Sequence, residues 1–363
     1  MAGGVGERFW PASTPERPKQ LLRLTASGRT MLEDAISRLS PLVQPEDVFI
    51  STSASLAGVV SELGVVSAGN IIAEPAKRNT AGALVWALAE IMNRYGIDPG
   101  DNHPGQPQSE EPGQEQDVSI AVVTADQRVE TDEQFRATLS TAMRAAETTG
   151  ALVTIGIPPT RPETGYGYIE VGDPTGEDGV FEVRRFREKP SLDQAEEFLS
   201  QGGFLWNSGM FFWTGSAFSA ELEAAAPDHW SAFRTIESAM RRGDRRAAEA
   251  AFLALPSISI DYALMEKSRS VLVARAQFEW DDMGSWDALS RSLELDVDGN
   301  AVQGDAILLD TRDCVVYSED ESLTPCLLGL EGLVVAIAGG KVVIAPKNRA
   351  QDVKLLAKEF ESR

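Results

Sequence analysis

The sequence predicts an α/β protein: a doubly wound sheet formed by most of the chain, followed by a separate all-β unit. Three observations predict it. Ser119 to Val123 and Ala151 to Ile157 are short continuous apolar runs, which suit strands covered on both faces. Helical spacing over Asn79 to Tyr95 and Thr131 to Thr148 alternates with them, and such alternation marks a sheet whose ligands lie beyond the carboxyl ends of its strands. From Asn300 to Pro346 short β-rich runs recur between Gly and Asp turns, with no helical pattern among them.

Taken in order, the chain opens with a Gly- and Pro-rich stretch from Ala2 to Gln20. A helix pattern over Met31 to Leu39 and a β-branched segment over Asp47 to Thr52 follow. Pro99 to Asp117 is rich in Pro, Gly, Gln and acids without apolar periodicity, and reads as a disordered surface insertion with no assigned role. The run at Ser119 ends in Thr124-Ala125-Asp126, which puts Asp126 at a strand end. Beyond Gly165 the strands lengthen (Tyr168 to Val171, Val180 to Arg187, Phe204 to Trp213), and helical segments then run to Lys267, interrupted at Pro227 and Gly243. A boundary near Asp296 to Gly299 divides the chain into domains 1–296 and 297–363, the second closed by a helix over Ala350 to Glu361.

Composition narrows the function. The 363 residues carry 33 basic and 55 acidic side chains, a formal charge of −22, and 43% hydrophobic residues, enough for a proper core. Such a molecule repels nucleic acid and anionic lipid, so a phosphate-bearing ligand must meet a placed cluster of Arg, Lys or metal. Cys314 and Cys326 fit no zinc spacing, and only His103 and His229 are present, which disfavours histidine metal sites and Ser-His-Asp chemistry. No apolar run approaches the ~20 residues of a membrane span. With no basic-then-apolar leader either, a cytoplasmic address is expected.

The opening segment Ala2-Gly3-Gly4-Val5-Gly6-Glu7-Arg8 with Pro18-Lys19-Gln20 combines glycines, which allow backbone N–H groups close to a polyphosphate, with the point charges of Arg8 and Lys19. No Gly-Lys-Ser/Thr follows, and Phe9 stands where a dinucleotide fingerprint has its third glycine. On glycines alone, an ordinary turn is the more frequent reading; the paired Arg8 and Lys19, with Pro11 and Pro18 stiffening the loop, favour a phosphate loop. A lone strand-end carboxylate such as Asp126 is, by itself, more often a helix cap than a ligand.

The segment AGGVGERFWPASTPERPKQ resembles the signature of the sugar-phosphate nucleotidyltransferases, and within them the mannose-1-phosphate guanylyltransferases. Further segments agree in order across nearly the whole chain. They are Glu74-Pro75 with Arg78-Asn79-Thr80, Thr124-Ala125-Asp126, Glu163-Thr164-Gly165-Tyr166-Gly167-Tyr168, Glu188-Lys189-Pro190, Trp206-Asn207-Ser208-Gly209, Ser259-Ile260-Asp261-Tyr262-Ala263 and Trp280-Asp281-Asp282-Met283-Gly284-Ser285-Trp286. The resemblance implies a Rossmann-like (GT-A-like) catalytic domain with a C-terminal left-handed β-helix-like unit, and weakly a homodimer. It implies transfer of GMP from GTP to mannose 1-phosphate, giving GDP-mannose and pyrophosphate, with Mg²⁺ on Asp126 and Asp282 and with Asp281 as a fallback ligand.

That chemistry requires no protein nucleophile, only positioning and charge neutralisation of two anions. By the resemblance, Ala2, Gly3 and Gly4 approach the nucleotide, Arg8 and Lys19 hold its phosphates, and Lys189 aims the sugar phosphate. Glu188 and Asn207 meet sugar hydroxyls, Gly167 gives backbone access to the ring, and Glu74, Asn79 and Thr80 are candidates for the base. A carboxylate can accept both N1–H and the N2 amine of guanine, a route to preference for GTP. Asn79 and Thr80 could equally cap the following helix, Glu188-Lys189 could be a solvated pair, and Trp206, Trp213, Trp280 and Trp286 read as core or pocket walls.

Three departures stand out. The family has an apolar strand directly before Ala-Gly-Gly, and its loss is expected to leave a gap in the central sheet beside the phosphate loop. Relatives commonly carry His after the metal-binding Asp, where this chain has Gln127, and the 99–117 insertion is unusual. The chain also ends before a C-terminal phosphomannose isomerase cupin could fit, so a single activity is expected. Two alternatives remain: a nucleotidyltransferase for another hexose 1-phosphate or triphosphate, and a catalytically silent sugar-nucleotide sensor. A sensor would have lost Asp126, Asp282 or the Arg8 and Lys19 pair, and all four are present.

Overall fold

The computed structural model describes residues 1–4, 6–97 and 117–362. Of the expected insertion, all but Asp117 lies outside the described residues. In chain order the strands are β1 (Ile50–Ser53), β2 (Ile71–Glu74), β3 (Ser119–Val122), β4 (Arg128–Val129), β5 (Leu152–Ile157), β6 (Gly167–Pro174), β7 (Val180–Glu188), β8 (Phe204–Thr214), β9 (Val271–Arg275) and β10 (Trp280–Asp281). The later ones are β11 (Ala301–Gln303), β12 (Ile307–Leu309), β13 (Val315–Ser318), β14 (Cys326–Leu328), β15 (Leu333–Ala338) and β16 (Lys341–Pro346). The helices are α1 (Met31–Leu39), α2 (Ala57–Glu62), α3 (Asn79–Tyr95), α4 (Asp132–Thr149), α5 (Leu192–Gln201), α6 (Gly215–Ala225), α7 (Pro227–Arg241), α8 (Arg245–Leu253), α9 (Leu289–Ser292) and α10 (Val353–Glu361). Among the described residues, no helix is long and apolar enough to cross a membrane.

The chain divides into two compact units that are not contiguous in sequence. One comprises Met1, Glu46–Thr124 and Thr131–Phe278; the other comprises Ala2–Pro45, Ala125–Glu130 and Glu279–Arg363. The second unit therefore takes in the Gly-rich opening and the two Asp-bearing segments together with the C-terminal strands.

The first unit is built on a six-stranded sheet of order β3-β8-β5-β9-β7-β6. Among the described residues β5 and β9 are its one parallel neighbouring pair, because β8 inserts antiparallel between β3 and β5, and β7 and β6 follow antiparallel beyond β9. Leu152 to Ile157 is buried throughout, as a strand covered on both faces must be. Strand β3 differs from that expectation: as the edge of the sheet it alternates exposed and buried positions. The β1 and β2 strands form their own two-stranded parallel sheet. Helix α3 is buried from Ala81 to Ala89 and at Met92, with Trp86 edge-to-face on Phe252 at 5.4 Å, and Gly96 in the left-handed region ends it. Asp117 receives the Ser216 N–H (3.1 Å) and hydroxyl (2.5 Å) at the start of α6.

In the second unit β11, β13 and β15 stack in parallel register, as do β12 and β14, which is the pattern of successive turns of a β-helix-like coil. Strand β16 closes it antiparallel to β15. Helix α1 begins with a reciprocal cap, Thr30 bonding the Glu33 N–H while Glu33 accepts the Thr30 N–H at 2.7 Å. Tyr317, Val334, Ala336 and Val343 form one core with Phe9, Leu22, Met31 and Trp286. Phe9 occupies the third-glycine position because its ring is wholly buried, packed edge-to-face on Trp286 at 4.9 Å.

Candidate active site

In the second unit the Gly-rich loop is shaped around Lys19. Gly6 adopts φ +74°, and a Cβ there would lie 2.4 Å from Lys19 Cβ, so only glycine fits. The Ser13 hydroxyl donates to Gly6 O at 2.6 Å, and Gln20 Nε2 donates to Ala2 O at 2.7 Å, which pins both ends of the loop. Gly3 and Gly4 are exposed, leaving their main chain open to a ligand. Lys19 is buried, and its ammonium lies 3.0 Å from the Asp126 carboxylate and 2.7 Å from the Asp282 carbonyl. Arg8 is half-buried and has no hydrogen-bond or ion-pair partner among the described residues, whereas Arg17 pairs with Glu319.

The Asp126 and Asp282 segments meet because β4 and β10 pair antiparallel, Asp281 opposite Arg128 and Trp280 opposite Val129. Asp281, the fallback ligand, is already committed. It is 4% exposed, it receives Arg291 Nε at 2.6 Å and the Met283 N–H at 2.8 Å, and its role is to brace the turn. Met283 sits at φ +51°, and a Cβ on Gly284 would come within 2.9 Å of the Asp282 carboxylate. Adjacent glycine thus leaves room for that side chain. Gln127 accepts the Trp280 indole N–H at 2.8 Å, holding the strand end by an amide that does not titrate. Among the described residues no cluster of three or more His, Cys, Asp or Glu could hold a metal. The donor set here suits an ion that takes one or two carboxylates and completes its shell with phosphate oxygens and water, which is the habit of Mg²⁺.

The first unit gathers the residues predicted for the sugar. Gly167 and Glu188 are ladder partners on β6 and β7, and a Cβ on Gly167 would lie 2.5 Å from the Glu188 carboxylate. Lys189, at φ +46°, lies 3.0 Å from Glu188 through its ammonium. Asn207 stands beside the register shift between β5 and β8, a kind of irregularity that re-aims side chains next to functional sites. Its amide bonds Asp261 at 2.7 Å. Asp261 belongs to a sequence segment already matched but was not named as a site residue; its burial beside Asn207 could not be read from spacing. Trp206 is buried as a wall, with the Arg161 guanidinium 5.2 Å from its ring.

Glu74 ends β2, and burial pushes its carboxyl up to about 7. Neither Asn79 nor Thr80 caps α3: the N-cap is Arg78, without a side-chain bond. The Thr80 hydroxyl instead accepts the Ile260 N–H at 2.8 Å, tying the start of α3 to the segment that carries Asp261. Asn79 is exposed at φ +60°, with Oδ1 on the Thr80 N–H at 2.8 Å.

Removing Arg291 should leave the Asp281 charge buried and uncompensated. Arg291→Ala is expected to cost ~2 kcal/mol of stability, measured by denaturant unfolding, and to lower activity through the displaced Asp282 turn.

With this geometry in place, the comparisons are direct. Residues 1–298 match the nucleotidyl transferase family and residues 304–360 the MannoseP isomerase/GMP-like β-helix domain. A mannose-1-phosphate guanylyltransferase of Escherichia coli K12 is 37% identical over 100% of this chain and 73% of its own length. One of Sinorhizobium fredii is 36% identical over 99% of this chain and 67% of its own. A crystal structure from Thermus thermophilus, described as a mannose-1-phosphate geranyltransferase, superposes with a TM-score of 0.85 at 35% identity, covering 99% of this chain and 98% of the other. The chain belongs to the nucleotidyl transferase family, and relatives that it matches along its whole length include mannose-1-phosphate guanylyltransferases.

Proposed function

We propose that this protein transfers GMP from GTP to α-D-mannose 1-phosphate, releasing pyrophosphate and GDP-mannose. The observation that carries the reading is the buried Lys19 ammonium, held at 3.0 Å from Asp126 and 2.7 Å from the Asp282 main chain beneath a glycine loop that an acidic protein has kept cationic. A phosphate oxygen of mannose 1-phosphate attacks the α-phosphorus in line, and the bond to the α–β bridging oxygen breaks. The roles divide by unit. In the second, Lys19 and Arg8 bind the nucleotide phosphates and offset charge on the departing pyrophosphate, with the main chain of Ala2, Gly3 and Gly4 alongside. Mg²⁺, when bound, would be held by Asp126 and Asp282 and supply charge neutralisation to the phosphate oxygens. In the first, Lys189 orients the sugar phosphate, Glu188 and Asn207 read hexose hydroxyls with Gly167 beside the ring, and Glu74 with Asn79 reads the base. Thr80 acts there through its tether to Ile260. Dependence on GTP is the support for a cytoplasmic address.

A homodimer through the C-terminal strands fits the same chain. Ile307, Leu309 and Leu328 are 53%, 60% and 69% exposed on the β12–β14 ladder, forming an apolar row that a second copy would cover.

Pyrophosphate release measured over GTP, ATP, UTP and dTTP with several hexose 1-phosphates should peak for GTP with mannose 1-phosphate; no preference for GTP would end the GDP-mannose reading. Asp126→Asn and Asp282→Asn should each lower kcat by about 10²-fold or more; Asp282→Asn keeps the carbonyl that Lys19 bonds and should barely change the melting temperature, whereas Asp126→Asn also unpairs the buried Lys19 and should lower it, and chelation of divalent ions should stop the wild type reversibly. Because the Glu74 carboxyl is held up to about 7, its ionised form, the acceptor for guanine, predominates only above that pH. The ratio of kcat/KM for GTP over ATP should therefore rise as pH passes upward through about 7, and Glu74→Gln should flatten it; a flat wild-type profile counts against Glu74 as the base reader. Light scattering should show a dimer that Leu309→Glu with Leu328→Glu converts to monomer, whereas a monomeric wild type removes the interface.

A further inference from the structure

The Asn207 carboxamide is almost fully committed before any ligand arrives. Its Oδ1 accepts from the Gly209 N–H at 3.2 Å and faces the Thr154 hydroxyl at 3.1 Å, whose single proton it shares with Met210 O at 2.9 Å, and its Nδ2 donates to Asp261 Oδ1 at 2.7 Å. An amide oxygen has two lone pairs and an amide nitrogen two protons, so one N–H remains for a ligand. The carboxylate that sets this orientation is itself held firmly. Asp261 opens a single π-helical turn, Asp261–Met265, with the Glu266 N–H on its carbonyl at 2.9 Å and the preceding Ile260 N–H on Thr80 at 2.8 Å. Such turns recur at functional sites. Burial and then the neighbouring Glu188 hold the Asp261 carboxyl above the usual carboxylate range, opposed by the Asn207 bond and by Lys189. Glu266, raised by burial, Glu188 and Asp261, belongs to the same group. Three carboxyls, Asp261, Glu188 and Glu266, thus share one place, and hydroxyl protons, the donors a hexose brings, relieve their repulsion.

We propose that Asp261 is a positioning residue for the hexose: it fixes the Asn207 carboxamide so that a single N–H, and no carbonyl lone pair, is presented to the sugar beside the acceptor Glu188. Asn207 is then a donor to a ring or hydroxyl oxygen, and Glu188 takes a hydroxyl proton. The polarity of the pair selects which oxygens of the hexose can be accommodated. This rests on the reading that the first unit binds the sugar phosphate.

Kinetics on the full chain with GTP, Mg²⁺ and hexose 1-phosphates test it. Asp261→Ala frees the amide and is expected to raise the KM for mannose 1-phosphate about tenfold or more while leaving the KM for GTP within about twofold. Asp261→Asn keeps an acceptor oxygen toward Asn207 and should restore the sugar KM to within about threefold of wild type. Should Asp261→Ala not fold, Asp261→Leu, which fills the space without an acceptor, is read in its place. A sugar KM unchanged in Asp261→Ala, KM values for both substrates rising together with a falling melting temperature, or an Asp261→Asn variant as poor as Asp261→Ala would each overturn the proposal. A wild type that prefers another hexose 1-phosphate overturns the mannose assignment instead, and the Asp261 comparison is then read on that sugar.

Discussion

One buried cation organises the second unit. Lys19 is 6% exposed in a chain of net charge −22, and its ammonium is shared between the Asp126 carboxylate and the Asp282 main chain. A buried ammonium without such partners would lose several kcal/mol or its proton. Those contacts make the loop, the end of β4 and the turn after β10 interdependent. The requirement that residue 6 be glycine follows, since any Cβ there strikes the Lys19 stem.

Aromatic packing explains why the glycine loop and the C-terminal strands belong to one compact unit. Phe9 packs on Trp286 at 4.9 Å, and Trp286 on Tyr317 at 4.7 Å, so loop, turn and β13 share a core. Trp286 also donates its indole N–H to Trp10 O at 3.0 Å, and Gln351 Nε2 reaches Ser285 Oγ at 3.0 Å. The β-helix-like coil therefore acts as a floor under the glycine loop and the Asp282 turn. Interiors are close-packed, so small shifts in that floor are transmitted to the residues it supports.

In the first unit the polarity of the side chains matters more than their number. Glu188 is an acceptor, Asn207 is left with a donor, and Lys189 carries the charge suited to a phosphate. The Thr80 to Ile260 bond ties the start of α3 to the Asp261 turn, so segments distant in sequence are set together.

Much of this was legible from residues alone. Apolar periodicity placed α1 and α3 at their observed bounds and most strands within a residue or two, because burial of one face imposes a period on the chain. The charge balance required a deliberate cationic cluster, and the motif segments named Lys19, Asp126, Asp282, Glu188 and Asn207. Tertiary structure decided what spacing cannot encode. Strand partners depend on contacts across the chain, so the inserted antiparallel β8 and the one-sided β3 were invisible in local pattern. The same holds for side-chain commitments. Spacing offers Asp281 as a fallback ligand, but Arg291 occupies it; it offers Thr80 as a base reader or a cap, but its hydroxyl accepts from Ile260; and it does not show that Asp261 accepts from the Asn207 amide. A sequence states which groups exist, but only the packed chain determines which donor has already been spoken for by which acceptor.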